Sequence, residues 1–243
     1  MTTACKAYYE TLHEACAKVL AQSFDGARAD AMALSHSFIA DLDKWLVELS
    51  DRSEVSVLNA AAREYQLALL ALSRGHYRAA FSSLRLSLEL ILAAIRWSSN
   101  ERELREWKRG ARDSVWAELI DKDDGVLSSQ FIKLFTEPLA EEAGTYRATA
   151  ATLYRECSEY VHGNAHTHVT LPTTIGFAEG PFSCWQQKAS AVRLVISFAL
   201  AARYLADLSE QGRVRIEPVL MAHLGHSASV RALVGAPVEA ADD

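Results

Sequence analysis

Apolar residues recur every three to four positions along almost the whole chain, the repeat of helices with one buried face. Residues 4–22 alternate Ala, Leu and Val with Lys, Glu and His, and Ser23-Phe24-Asp25-Gly26 breaks that run. A second helix is predicted over 27–49, with Phe38, Leu42, Trp45 and Leu49 as its stripe. Ser53, with Ser56 nearby, is a candidate cap for a third. That helix carries Leu58, Tyr65, Leu69 and Leu72 and ends near Gly75. Residues 76–100 are the most apolar element. Phe81, Leu84, Leu88, Ile91 and Ile95 form one seam, and Leu86, Leu90, Ala94 and Trp97 form a second on the opposite side. A helix apolar on two faces is expected to lie between neighbours. Within it Arg85 and Glu89, four apart, are placed to pair. Residues 55–100, jointed at Gly75, read as a helical hairpin at the centre of the fold.

Residues 101–112 are dense in charge around Trp107, and 121–125 read as a loop. Short helices are predicted over 114–120 and 128–135, with Ser114 and Ser128 as candidate caps. Pro138 suits the first turn of a further helix, and Gly144 is expected to punctuate the chain before the run that reaches His162. The longest irregular segment is 163–181, where Val169 to Ile175 could form a short extended piece. A long helix follows over 182–211, with Val192, Val195, Ala199 and Tyr204 facing inward. One or two short helices are expected over 218–234, then a frayed acidic tail over 237–243. No repeat or Gly/Ser/Pro linker divides the sequence. The expectation is therefore one all-α domain over 1–243, a multi-helix bundle built around the central hairpin. Its core spans about 55–163, with extra N-terminal helices over 4–50 and C-terminal helices over 182–235.

Composition agrees. Half of the 243 residues are hydrophobic, with only 5 Pro and 11 Gly, which suits long helices around a sizeable core. The net charge of −6 provides no global field for nucleic acid or an anionic membrane, so any nucleic-acid contact must be a local basic patch. Cys5, Cys16, Cys157 and Cys184 have no CxxC spacing, and their scarcity suits a reducing cytoplasm. The first residues lack an apolar signal core. The most apolar windows, 84–97 and 191–206, are interrupted by Arg85, Glu89, Arg96, Arg193 and Arg203, so no membrane span or membrane partner is expected.

Candidate chemistry concentrates in Leu-Tyr-Arg-Glu-Cys-Ser-Glu-Tyr-Val-His-Gly, residues 153–163. As a helix it has an apolar side of Tyr154, Cys157 and Val161, flanked by Leu153 and Tyr160. Arg155, Ser158, Glu159 and His162 fall on the other. Arg155 and His162 are seven residues apart, about 20° from alignment and roughly 10 Å along the axis. Gly163 is a natural stop. Arginine stays charged and offers a planar fork to phosphate oxygens. Histidine, with an ordinary pKa of about 6.5, exchanges protons at neutral pH. The same residues have plainer roles: His162 could complement the helix C-terminus, and Arg155–Glu159 could be a surface ion pair.

Arg155, six intervening residues and His162, near the end of a helix in an all-α chain, resemble the catalytic signature of the HEPN superfamily. The hairpin sequence Leu-Arg-Leu-Ser-Leu-Glu-Leu-Ile-Leu is consistent with the helical core of such proteins. The resemblance covers about 55–163. It departs in Glu156, where the family often has Asn, Asp or His, and the spacing is at the long end of its range. It implies a metal-independent ribonuclease, with RNA as substrate, no cofactor, and Arg155 and His162 catalytic across a homodimer. Ser158 and Glu159 would orient them. It further implies an effector or toxin of bacterial antiviral defence, where an antitoxin or defence-complex protein could be a partner. The alternative is a non-catalytic helical module that binds RNA or protein in such a complex; a small-molecule sensor or structural oligomer is a third reading. Lys108 and Arg109, in a basic set with Arg102, Arg105 and Arg112 beside Trp107, are candidate RNA contacts. The interleaved Glu101, Glu103, Glu106 and Asp113 equally suit a solvated face. His162, His166 and His168 lack fixed-face spacing, so no metal site is expected. No P-loop, GxGxxG, HExxH or nucleophile-elbow motif is present.

Overall fold

The structure, a computed structural model, describes residues 2–235. It is all-helical, with no strand among those residues. The helices are α1 (Thr2–Ser23), α2 (Ala27–Glu48), α3 (Val55–Ser73), α4 (Tyr77–Trp97), α5 (Glu101–Lys108), α6 (Trp116–Leu119), α7 (Ser129–Thr136), α8 (Ala143–His162), α9 (Ala165–Thr170), α10 (Glu179–Tyr204), α11 (Glu210–Leu224) and α12 (Ala228–Val234). The acidic tail expected over 237–243 lies outside the described residues.

The α3–α4 hairpin is the spine of the bundle, with α2 packed on its α3 arm and α8 and α10 on its α4 arm. Small residues explain the close approach. Ala61, Ala68 and Ala80 are fully buried, and Ser87 Oγ donates to Ala61 O at 2.8 Å. The first seam of α4, Phe81 through Ile95, is buried throughout. Each such large side chain contributes about 1.5–3 kcal/mol by leaving water. The second seam is only half covered: Ala94 and Trp97 are buried, whereas Leu86 faces solvent. Arg85 and Glu89 pair at 3.4 Å as expected. Glu179–Asp207 is the one segment among the described residues long and apolar enough to span a bilayer, but 78% of its apolar window is covered by the bundle.

Several boundaries differ from the sequence expectation. Ser53 does not cap α3: Glu54 precedes the helix, and its carboxylate accepts from Tyr204 Oη at 3.0 Å. Ser114 does not cap α6 either, whereas Ser128 caps α7 by accepting from Phe131 N at 3.1 Å. Pro138 sits in a single 3-10 turn, and Gly144 lies inside α8 instead of before it. Of the piece expected to be extended over 169–175, Val169 and Thr170 end a short helix that satisfies its backbone locally, and 171–175 are irregular without strand pairing. The long helix stops at Tyr204, where Asp207 is drawn to Arg203 (2.8 Å) and Arg52 (2.7 Å), and Ser209 caps α11. Pro218 lies within α11, not at the start of a helix. The carbonyl it leaves without a donor belongs to Val214, an exposed residue that water can reach.

Candidate functional site

α8 is held by aromatic stacking on its apolar side. Tyr160 stacks on Phe81 of α4 at 3.9 Å, Tyr154 on Trp116 of α6 at 3.7 Å, and Tyr146 on Phe198 of α10 at 3.7 Å. Leu153, Cys157 and Tyr160 are buried. Val161, expected on the apolar face, is exposed, and Tyr160 fills the position against α4 instead. Burial pushes the Tyr160 hydroxyl up to about 12 and the Cys157 thiol up to about 12, so both stay neutral.

The opposite face carries Arg155 and His162, both exposed. Among the described residues neither makes a side-chain hydrogen bond or ion pair. The Arg155–Glu159 surface ion pair is therefore not formed, whereas His162 does stand in the last turn of α8, where it can complement the helix end. Glu159 does not pair with Arg155; its carboxylate meets His166 Nε2 at 2.8 Å. Ser158 is also occupied, its hydroxyl donating back to Tyr154 O at 2.6 Å. Neither Ser158 nor Glu159 orients Arg155 or His162 as expected, because each has a nearer partner on its own or the following turn.

The C-terminus of α8 is closed by other groups than His162. Gly163 adopts φ 66°, and Asn164 N donates to Glu159 O at 3.1 Å, a Schellman-type ending. The main-chain oxygen of Tyr160 accepts from the guanidinium of Arg78, which also donates to Thr167 Oγ1 at 3.2 Å. Arg78 thus supplies a hydrogen-bonded cation at this helix end, beside His162 in the last turn, whose ring makes no hydrogen bond among the described residues. Sequence reasoning missed Arg78, although a signal existed. A basic residue in the first turn of its own helix opposes the dipole there, so it has another task.

Arg78 also lines a cleft of about 700 Å³ between the α3–α4 joint and the segment after α9, with His76, Ser82, His168 and Thr173. Its lining holds no carboxylate. Gly75 makes the joint possible: its φ is +79°, and a Cβ there would press on Val19 at 3.2 Å and on Gly176 O at 3.3 Å. His168 Nε2 contacts Gly163 O at 3.2 Å, so the cleft abuts the end of the helix that bears His162.

Lys108 and Arg109 are not brought to this region. They lie beyond the C-terminal end of α4, whereas α8 ends against its N-terminal turn, a separation of about 28 Å along the helix. Lys108 Nζ donates to Ser53 O at 2.8 Å, and Trp107, partly buried, packs on Trp97 at 4.9 Å. No three His, Cys, Asp or Glu side chains converge as a metal site among the described residues. Comparison of the chain with protein-family profiles, curated proteins and solved structures finds no match in any of them.

Proposed function

We propose that the protein is a HEPN-like endoribonuclease in which Arg155 and His162 act across a homodimer without a metal. The observation that carries this reading is the pair itself: a permanent cation and a proton-exchanging ring, exposed, without partners, and on one ridge of α8. About 10 Å of helix separates the two positions, too far for one chain's pair to grip a single phosphate easily. Two α8 helices crossing about a two-fold axis would bring Arg155 of one chain to His162 of the other. Exposed Val161 and Val169, on α8 and the following helix, offer apolar surface for that contact.

In the chemistry proposed, the ribose 2′-oxygen attacks phosphorus as its proton passes to His162. The bond to the 5′-oxygen breaks, and the proton taken up by His162 passes to that oxygen, directly or through water. The products are a 2′,3′-cyclic phosphate and a 5′-hydroxyl. Arg155 stabilises the charge on the phosphoryl oxygens. The carboxylate-free cleft beside Gly163, with Arg78, His76 and His168, suits the flanking RNA backbone. By the same resemblance, the protein would serve as an effector or toxin of antiviral defence in the reducing cytoplasm, restrained by a partner protein. The test is cleavage of a labelled RNA in EDTA. Wild type should cut and leave the termini just named, and His162→Ala should not. If wild type leaves every RNA intact at high enzyme, the enzyme reading is lost. RNA retention without cleavage would then favour a binding module.

A further inference from the structure

A second cationic group lies on α10, off the α8 ridge, and has no counter-ion among the described residues. Two guanidiniums are buried among the described residues, Arg203 and Arg193, at 6% and 4% exposure. Arg203 has Asp207 at 2.8 Å. Arg193, in the middle of α10, has no carboxylate oxygen within 4.0 Å among the described residues. Its Nη1 donates to Ser35 Oγ at 2.9 Å and approaches Tyr65 Oη at 3.5 Å. These partners belong to a neutral network. Ser35 donates onward to Gln186 Oε1 at 2.6 Å, and Tyr65 Oη donates to Ser35 O at 3.0 Å. Nε and Nη2 make no hydrogen bond within the described chain. A largely buried ion without a counter-charge is unfavourable unless its remaining donors meet solvent or a ligand. Arg96, Arg85 and Lys188, which are also largely covered, each have a carboxylate.

Arg193 opens onto a cleft of about 470 Å³ between α2, α10 and α11. Its rim carries Ser37, Gln187 and Ser190, which offer hydroxyl and amide groups. Asp41 is the one carboxylate in the lining, and it is already engaged by His223 Nε2 at 3.0 Å and Lys44 Nζ at 3.1 Å. It therefore does not neutralise Arg193. A buried guanidinium with unused donors, lining a ligand-sized cleft of mixed apolar and polar walls, matches a carboxylate or phosphate, either of which can take two parallel N–H bonds from such a fork. We propose that this cleft is a binding site for a small molecule carrying a carboxylate or phosphate group, with Arg193 as its anchor. The assignment stands independently of the role of Arg155 and His162.

The experiment is isothermal titration of the full chain with inorganic phosphate, adenosine monophosphate, acetate and citrate. Each is run against sodium chloride at equal ionic strength, and thermal unfolding is followed in parallel. At least one oxyanion should bind saturably and raise the melting temperature, and whether phosphates or carboxylates do so names the source. Arg193→Met should lose affinity at least tenfold while melting no lower than wild type without ligand, since it removes an uncompensated charge. Ser190→Glu, an exposed change at the rim, should weaken binding several-fold and keeps the test sound should Arg193→Met misfold. His162→Ala should bind the anion as wild type does. Saturable binding of none of the four probes, or binding undiminished in both cleft variants, overturns the proposal.

Discussion

The guanidinium of Arg78, in the first turn of α4, donates to the main-chain oxygen of Tyr160, in the last turn of α8. One side chain thereby fixes the end of the helix that presents His162 and lines the cleft beside it. Arg78→Met keeps most of the bulk and removes the donors. A hydrogen bond from a charged group contributes about 1.5–3 kcal/mol. Urea denaturation should show a loss of about 2 kcal/mol, and amide exchange should accelerate at residues 160–164. RNA cleavage should fall as well.

Gly163 ends α8 at φ 66°. An added Cβ would meet only side-chain ends, Arg78 Nη1 and His168 Nε2 at 3.7 Å, so space is not the obstacle. The left-handed backbone is, at about 1–2 kcal/mol for an L-residue. Gly163→Ala should lower stability by that amount. Gly163→Asn should recover part of it, because asparagine tolerates this region. Equal stability of all three chains would contradict the account of this helix end.

Arg96 grips Glu103 with two hydrogen bonds, at 2.8 and 3.1 Å, in a half-covered pocket below α4. That hydrogen bonding holds the Glu103 carboxyl below the usual glutamate range, against a burial effect of opposite sign. A carboxyl depressed on folding contributes stability above its unfolded pKa and loses it as pH falls through its folded one. Glu103→Gln should therefore cost about 2 kcal/mol at pH 7. The gap to wild type should close as the medium is acidified below the ordinary glutamate range. Denaturation midpoints measured from pH 7 to pH 3 check this, and a gap that widens in acid contradicts it.

Cys157 is 1% exposed, and burial pushes its thiol up to about 12. The thiolate is the reactive form, so this sulfur should resist iodoacetamide at pH 8. Cys5 is exposed on α1 and should alkylate first. Peptide mass spectrometry of native and urea-treated protein checks the order. Cys157 should react only after unfolding.

Helical periodicity carried most of the fold, because buried positions such as Phe38, Tyr65, Leu84 and Val195 face one core and repeat at its spacing. Helix ends were less legible. Whether Ser53 or Ser209 caps depends on where the chain turns, and Glu54 and Asp207 decide that through distant partners, Tyr204, Arg203 and Arg52. At the site, the exposure of Arg155 and His162 followed from the apolar back face of α8. The engagement of Ser158 and Glu159 did not: helical spacing gives neighbours but not which neighbour wins. Arg78 left only the faint signal of a cation in the first turn of its helix, and Arg193 left none, because its meaning lies in what the tertiary packing leaves it without.

The claim that matters most is that Arg155 of one chain and His162 of another complete one centre. Mixing Arg155→Ala with His162→Ala, after unfolding and refolding together, tests it directly. Each mixed dimer would carry one intact Arg155–His162 pair and one doubly disabled pair. With random pairing, half the dimers are mixed and regain one of two centres, so RNA cleavage in EDTA should return to roughly a quarter of wild type. Each variant refolded alone should stay inactive. A mixture as inert as its components, beside an active wild type, would contradict a shared centre, and an inactive wild type would contradict the nuclease itself.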